Sequence, residues 1–421
     1  MSTGVQSAGC PYAGNQEVIG APAHVPDTLV RMPSYLDEAN TLPDPFNISE
    51  RVFEDLPPVF YWPKVRPGIT DGFWAVTHYE DIREVLQNTD LYSNKGAVNF
   101  PSLIGESFRM IPLGIDPPEH GMYRVLLNPW FSPKAVTQLE PRIWATINEL
   151  IDSFIEKGGC DAAYDFGRIY PVRVFLNLMG MPFEKMDEFL EWEYAILHSN
   201  AQEIDRARWG VAGAIAYLRE FIAHVRDNPA NNLTSHIVHG VIDGRPLTDD
   251  EIIGTVFFLW IGGLDTVAAT TALIFRRLAM QPQLQQRLRE NPDLIPEAIE
   301  EFLRVQPITN SSRIAKKDHE IRGVKIRAGE RVMGLNLSGN FDPAEFECPR
   351  ELKFDRKSNR HFTFGGGPHR CLGSHLARRE MRIAITEFLR RVPPFTLNSD
   401  KDIPVYPSII ATTTVPIAWA V

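Results

Sequence analysis

A mainly α-helical fold with a minor share of β-structure is what this 421-residue sequence predicts, and three observations carry it. From Tyr123 to about Arg226 apolar residues recur at helical spacing, interrupted at "KGGCD" and "GMPFEKM". From Ile252 to Phe275 the chain reads "IIGTVFFLWIGGLDTVAATTALIF", a run in which Asp265 is the only charge. Strand-like alternation is confined to short pieces such as "HEIRGVKIRAGERVMGLN" and the tail.

Taken in order, residues 1–45 are rich in Pro, Gly and Ala and read as an irregular N-terminal arm, with residues 46–421 as a single domain. The arm has no apolar run long enough for a signal peptide or anchor. "GFWAVTHYEDIREVLQN" predicts a short strand followed by an amphipathic helix. Residues 94–118 form a loop broken by Gly and Pro. "HGVIDGRPLTDDE" is a second loop, in which Thr248 caps the next helix and Glu251 holds the capping-box position. That helix is the apolar run. Its length would span a bilayer, but a lone acid at mid-span is costly in lipid and no second segment offers it a partner. A central helix of a large core is the expectation. Residues 293–305 give another helix, and the strand-like pieces follow. The segment 340–363 is irregular and leads to "FGGGPHRCLGSHLARRE". After Cys371 a helix is predicted, with Ala377, Met381, Ala384 and Phe388 on one apolar stripe.

The formal net charge of -10 argues against nucleic-acid or anionic-membrane binding by bulk charge. Four scattered cysteines, with no CxxC pair, fit a reducing, cytoplasmic compartment.

The chemistry concentrates at Cys371. It stands just before a helix N-terminus, where amide N–H groups favour a thiolate. Gly365, Gly366 and Gly367 let the backbone approach a flat or bulky group, and His369 and Arg370 add donors. A phosphate loop is a poor reading, because no Lys-Ser/Thr follows the glycines. A zinc site could use His369, Cys371 and His375, and a cysteine nucleophile could pair with a histidine. The zinc reading has no fourth ligand or CxxC nearby, and the nucleophile reading does not explain the glycines. A thiolate ligand to heme iron accounts for the glycines, the thiol and the cations together.

"FGGGPHRCLG" resembles the heme-binding loop of the cytochrome P450 family, with Phe364, Gly367, His369, Cys371 and Gly373 at its spacings. "EEFLR" supplies Glu301 and Arg304 like the family's ExxR pair, and "FDPAEFECPRELKFDR" is similar to the segment that precedes the loop. "GGLDT" resembles the family's oxygen-binding groove. The resemblance covers nearly the whole chain. It looks like the bacterial soluble class, most like the camphor hydroxylase in its "GGLDTV" and "CLGxHLARRE" wording. It implies the cytochrome P450 fold, a helical core around heme plus small β-sheets, over residues 46–421. It also implies a heme-thiolate monooxygenase, with heme b as cofactor and Cys371 as the iron ligand.

Further roles follow from the resemblance. Phe258, Gly262 and Asp265 share one helix face, and the Thr266 hydroxyl can bond back to the Gly262 carbonyl. O–O cleavage needs protons delivered while bulk water stays out, and the resemblance gives that work to Asp265 and Thr266. Phe364 and Gly262 are expected against the heme. Heme carboxylates need cationic partners, which predicts His120, Arg124, Arg313 and His369 as binders. Glu301, Arg304 and Arg356 are expected to form a structural network. No dinucleotide fingerprint is present, so electrons must come from outside. An iron–sulfur ferredoxin, served by an NAD(P)H-dependent ferredoxin reductase, is the expected donor. Arg124, Lys134, Arg360, Arg370, Arg378 and Arg382 are its candidate docking patch. In camphor hydroxylase a tyrosine holds the substrate ketone, and the aligned position here is Phe108. With Phe100, Phe258, Ile261, Ile409 and Ile410 it predicts an apolar pocket for a small terpenoid or norisoprenoid. The competing reading is a zinc-binding or cysteine-nucleophile protein without heme, which would be colourless.

Overall fold

The computed structural model describes residues 21–31, 56–66, 68–399, 403, 406–407 and 410–421. The predicted arm thus lies mostly outside the described residues. Its described part is tied down: the Arg31 N–H donates to the Tyr61 carbonyl at 3.0 Å, and Val25 is buried.

One sheet gathers strands from both halves of the sequence. Its strands are β1 (Val59–Arg66), β2 (Thr70–Val76), β3 (Tyr92–Ser93), β4 (Ser311–Ala315) and β5 (Arg331–Gly334), in the order β1-β2-β5-β4-β3. β5 runs parallel to β2, with Val332 opposite Trp74, and antiparallel to β4. Trp74 anchors this junction, fully buried, its indole N–H donating to Glu330 at 2.8 Å.

The helices are α1 (Tyr79–Gln87), α2 (Glu119–Phe131), α3 (Pro133–Phe154), α4 (Ile169–Met179), α5 (Met186–His198), α6 (Ile204–Asp227) and α7 (Leu233–Val238). They continue as α8 (Asp249–Leu264), α9 (Thr266–Met280), α10 (Pro282–Glu290), α11 (Ile295–Val305), α12 (Asn336–Asn340) and α13 (Ser374–Arg391). Helices dominate and the sheets are small, as predicted. The apolar run is α8 followed by α9. By length and composition Asp249–Met280 would cross a membrane, yet 67% of its most apolar window is buried in the fold. Helices α4, α5, α6 and α7 packed against α8 supply its apolar environment. The capping box forms as read: Thr248 Oγ1 accepts from the Glu251 N–H, and the Glu251 carboxylate accepts from the Thr248 N–H at 2.7 Å. Tyr123 and Arg245 also bond Glu251, which fixes α2 to the start of α8.

Under the loop bearing Cys371, α13 packs into an aromatic cluster. Phe275 of α9 and Phe388 of α13 lie 4.5 Å apart between ring centroids. Ala377, Met381, Ala384 and Phe388 are all buried, which is the predicted stripe. Beside it stands the network of Glu301 and Arg304 on α11. Arg304 makes two bonds to the Glu301 carboxylate, both at 2.8 Å, and reaches the carbonyls of Asn340, Pro349 and Glu351. Arg356 joins at 3.0 Å. Both members of the pair are about fully buried, so this is a saturated polar clamp on the segment leading to the loop.

Candidate active site

The loop is built by local bonds. The Cys371 N–H donates to the Phe364 carbonyl at 2.8 Å and the Gly365 N–H to the Phe362 carbonyl at 2.7 Å. Gly365 and Gly367 have φ of +66° and +65°, which favours glycine. A Cβ on Gly367 would stand 2.5 Å from the Leu86 carbonyl oxygen of α1. The glycine run therefore presses the loop onto α1, a different reason from the approach to a flat group predicted from sequence. The opposite side of the loop opens into a cavity of about 520 Å³.

Cys371 lines that cavity, immediately before α13. Burial pushes its thiol up, while the Gly373 N–H and the charges of Arg124, Arg378 and Arg370 pull towards the thiolate. Phe364 also lines the cavity, with the Arg378 guanidinium 4.4 Å over its ring.

His120, Arg124, Arg313 and His369 meet at the same cavity. α2 carries the first pair one turn apart, β4 carries Arg313, and the loop carries His369. The two imidazole rings lie 4.1 Å apart. Burial, Arg124 and Arg313 lower His120 to about 4; burial, His120, Arg313 and Arg124 lower His369 to about 3. Arg313 is nearly buried and falls to about 10 by desolvation. The acid acting on Arg313 and His120 is Asp116, which already accepts from Ser93 and the Asn94 N–H. His120 Nε2 is buried with no partner. Donors that depress one another in this way are suited to anionic groups. A flat cofactor bearing two carboxylates, set above a thiolate, fits these residues.

Across the cavity, α8 ends at Leu264 and α9 begins at Thr266. The Thr266 hydroxyl donates to the Gly262 carbonyl at 3.1 Å, the i−4 bond anticipated from sequence. Gly262 faces open space, with nothing within 4 Å of a built Cβ. Gly263 does not share that gap: its Cβ would overlap the Phe175 ring at 2.4 Å.

Asp265 does not line the cavity. Its carboxylate turns to His198 of α5, Oδ2 to Nε2 at 3.3 Å, with Glu193 alongside. Neither partner was found by sequence reasoning. The signal was present for Glu193, an acid on the helix face of Phe189, Ile196 and Leu197, all buried.

Among the expected pocket residues, Phe100, Phe258 and Ile261 line the cavity. Phe108 does not: its ring packs edge-on against Phe257 at 6.2 Å, because α8 covers that part of the loop. Ile409 lies outside the described residues, and Ile410 is described only as backbone of a two-residue strand. Leu197 and Phe175 also contribute to the wall, which sequence reasoning missed.

Of the predicted docking patch, Lys134, Arg370 and Arg382 are exposed and enter no ion pair among the described residues, and Arg370 also borders the cavity. Arg124 donates to the Arg370 carbonyl. Arg378 is bound to Glu300 and Arg360 to Glu345, so the predicted basic patch is thinner than its sequence count suggests.

Comparison with known proteins agrees with this geometry. The model of the cytochrome P450 family matches residues 171–420. A probable cytochrome P450 127A1 of Sinorhizobium fredii is 38% identical over 382 residues, 89% of this chain and 91% of the relative. Mycinamicin IV hydroxylase/epoxidase of Micromonospora griseorubida is 32% identical over 79% of this chain and 85% of its own. The crystal structure of CYP101J2 superposes with a TM-score of 0.82 at 29% identity, over 96% of this chain and all of that one. Family members bind heme b and act as monooxygenases, which removes the zinc and cysteine-nucleophile alternative. A thiol, two arginines beside two imidazoles and a threonine-bearing helix break around one cavity thus have a common explanation: the chain belongs to the cytochrome P450 family.

Proposed function

We propose that this enzyme inserts one oxygen atom from O₂ into a C–H bond of a small apolar substrate, a terpenoid or norisoprenoid. Its electrons come from a ferredoxin and an NAD(P)H-dependent reductase. The supporting observation is that Cys371, Thr266 and the four propionate-binding candidates all line one cavity. Cys371 would ligate the iron of heme b, with His120, Arg124, Arg313 and His369 around the propionates and Phe364 and Gly262 against the ring. When bound, that group would supply oxygen activation.

The chain's own side chains then have three tasks. Phe100, Phe258 and Ile261 hold the substrate by shape and exclude water. Thr266 keeps a hydroxyl at the open face of Gly262, where it can accept a hydrogen bond while its proton stays on the Gly262 carbonyl, or leave that carbonyl and donate. Asp265 stands one residue away, outside the cavity, where it can exchange protons and pass them on. A small substrate held by shape is favoured because Phe108, at the position of the ketone-holding tyrosine, offers no hydrogen bond and turns into the protein. The exposed cations Lys134, Arg370 and Arg382 support an acidic ferredoxin as the electron donor. No membrane or nucleic-acid partner is assigned, and a cytoplasmic location fits the cysteine usage.

A difference-spectrum titration of the purified enzyme tests the substrate class. Terpenoids and norisoprenoids of modest size should displace the iron-bound water at micromolar concentration, followed by hydroxylated product with ferredoxin and reductase. Displacement by steroids or macrolides alone would reject it.

A further inference from the structure

We propose that Glu193, His198 and Asp265 form a site for a divalent cation of the zinc type, joining α5 to the break between α8 and α9. The three side chains offer two carboxylates and an imidazole whose ligating atoms all lie within 4.8 Å of one another. That donor set suits zinc, which takes nitrogen and oxygen ligands and is commonly held by three residues plus water. Magnesium and calcium prefer a fuller shell of oxygens.

One distance points the same way. His198 Nε2 and Asp265 Oδ2 are 3.3 Å apart. A charge-assisted hydrogen bond between such groups is usually about 2.7–2.9 Å. The edge of a tetrahedron of ligands around zinc, at bond lengths of about 2.0–2.1 Å, is about 3.3–3.4 Å. The imidazole is also set in place, stacked on Tyr194 at 4.6 Å with the rings 15° apart.

A second observation is independent of that spacing. Glu193 is only 2% exposed, and its Oε1 has no hydrogen-bond partner. A buried carboxylate oxygen without a partner is costly, and a second carboxylate beside it adds to the cost. Burial and the Asp265 charge both push Glu193 towards its neutral form, against Arg168, whose guanidinium lies over the Tyr164 ring. A divalent cation would compensate both carboxylates at once. The Asp265 side chain keeps 18% of its surface exposed, so the fourth position can hold water on that side.

An occupied site would tie α5 to the helix break and hold the Asp265 carboxylate. Zinc should then slow turnover. That consequence rests on the proton-carrying role proposed for Asp265, whereas binding does not.

The test uses the full-length, heme-loaded enzyme and zinc chloride alone. Calorimetry should show one site, and crystals soaked in zinc should show an anomalous peak bounded by the three side chains. Glu193→Gln and His198→Gln should each weaken that site by at least about 100-fold, the upper range for loss of even an outer-shell partner. Glu191→Gln, on the exposed side of α5, should not. The visible spectrum and melting temperature of each variant confirm that it folds. Absence of the peak, or equal zinc affinity in all variants, overturns the proposal. Zinc bound at the three residues without slower turnover would uphold the site and count against the role of Asp265.

Discussion

Thr266 and Asp265 are adjacent in sequence, and the helix break sends them to different places. Thr266 lines the cavity with its hydroxyl on the Gly262 carbonyl, while Asp265 meets His198 outside it. Their substitutions should therefore differ. Thr266→Ala removes one hydroxyl and little apolar area, worth about 25 cal/mol per Å², so substrate affinity should hold within about twofold. Reductant consumption should continue while product yield drops several-fold and hydrogen peroxide appears. Asp265→Asn should instead slow reductant consumption and product formation together. Measuring reductant, product and peroxide in both variants decides this, and tight coupling in Thr266→Ala would return the residue to a packing role. Arg313→Ala should release heme at least several-fold faster to an apo-acceptor, since it takes a nearly buried cation from the cluster with His120 and His369. Unchanged release would remove Arg313 from the propionate partners. At this scale the sequence was most legible where contacts are local. The Thr266–Gly262 bond spans one helical turn and follows from spacing alone. Glu193 and His198 meet Asp265 only through the crossing of α5 over α8, and no local rule places them.

Between elements, two adjacent glycines show how neighbours decide a residue's meaning. "GG" in the apolar run reads as one gap, but only Gly262 opens on the cavity; Gly263 is where α4 sets Phe175 against α8. Gly262→Ala should leave the melting temperature nearly unchanged, because helix propensity improves by up to about 1 kcal/mol and nothing is displaced. It should narrow the cavity and alter the ligand-induced spectrum. Gly263→Ala should destabilise by about 1–3 kcal/mol through overpacking. Equal melting temperatures for the two variants would contradict the assignment. The glycine loop teaches the same lesson. Its glycines were read as room for a flat group, whereas Gly365 and Gly367 stand at positive φ and Gly367 also meets Leu86 on α1, a contact that sequence spacing cannot show. The bridge between α11 and α13 gives a pH signature. Burial alone would raise the Glu300 carboxyl, but hydrogen bonds from Arg378 and His361 overcome this and hold it at about 2, below its ordinary 4.5. As pH falls from about 4.5, the unfolded chain takes up this proton first, so stability drops progressively towards pH 2. Denaturant titrations across that window should show a shallower loss for Glu300→Gln, which also starts from lower stability at neutral pH. Parallel curves for the two proteins would place the acid sensitivity elsewhere.

On the scale of the whole molecule, the helical majority and the core helix were readable from periodicity and composition, and the order of the motifs from the family resemblance. The sheet was not, because β2 and β5 lie far apart in the chain and pair only when the fold closes. The pocket was readable only in part. Apolar residues of the loop before α2 divide between cavity and core, Phe100 to one and Phe108 to the other, and composition cannot separate them. What the closed fold achieves is convergence: a loop, a sheet strand and two helix regions bring a thiol, four cationic or imidazole donors and a hydroxyl to one space. The central claim is that Cys371 is the proximal ligand within that space. The visible spectrum of the reduced, carbon monoxide-bound protein tests it most directly. Wild-type protein should show the strongly red-shifted Soret band of a thiolate-ligated heme, and Cys371→Ala should lose it. A colourless wild-type protein, or a red-shifted band that survives the substitution, would contradict the account.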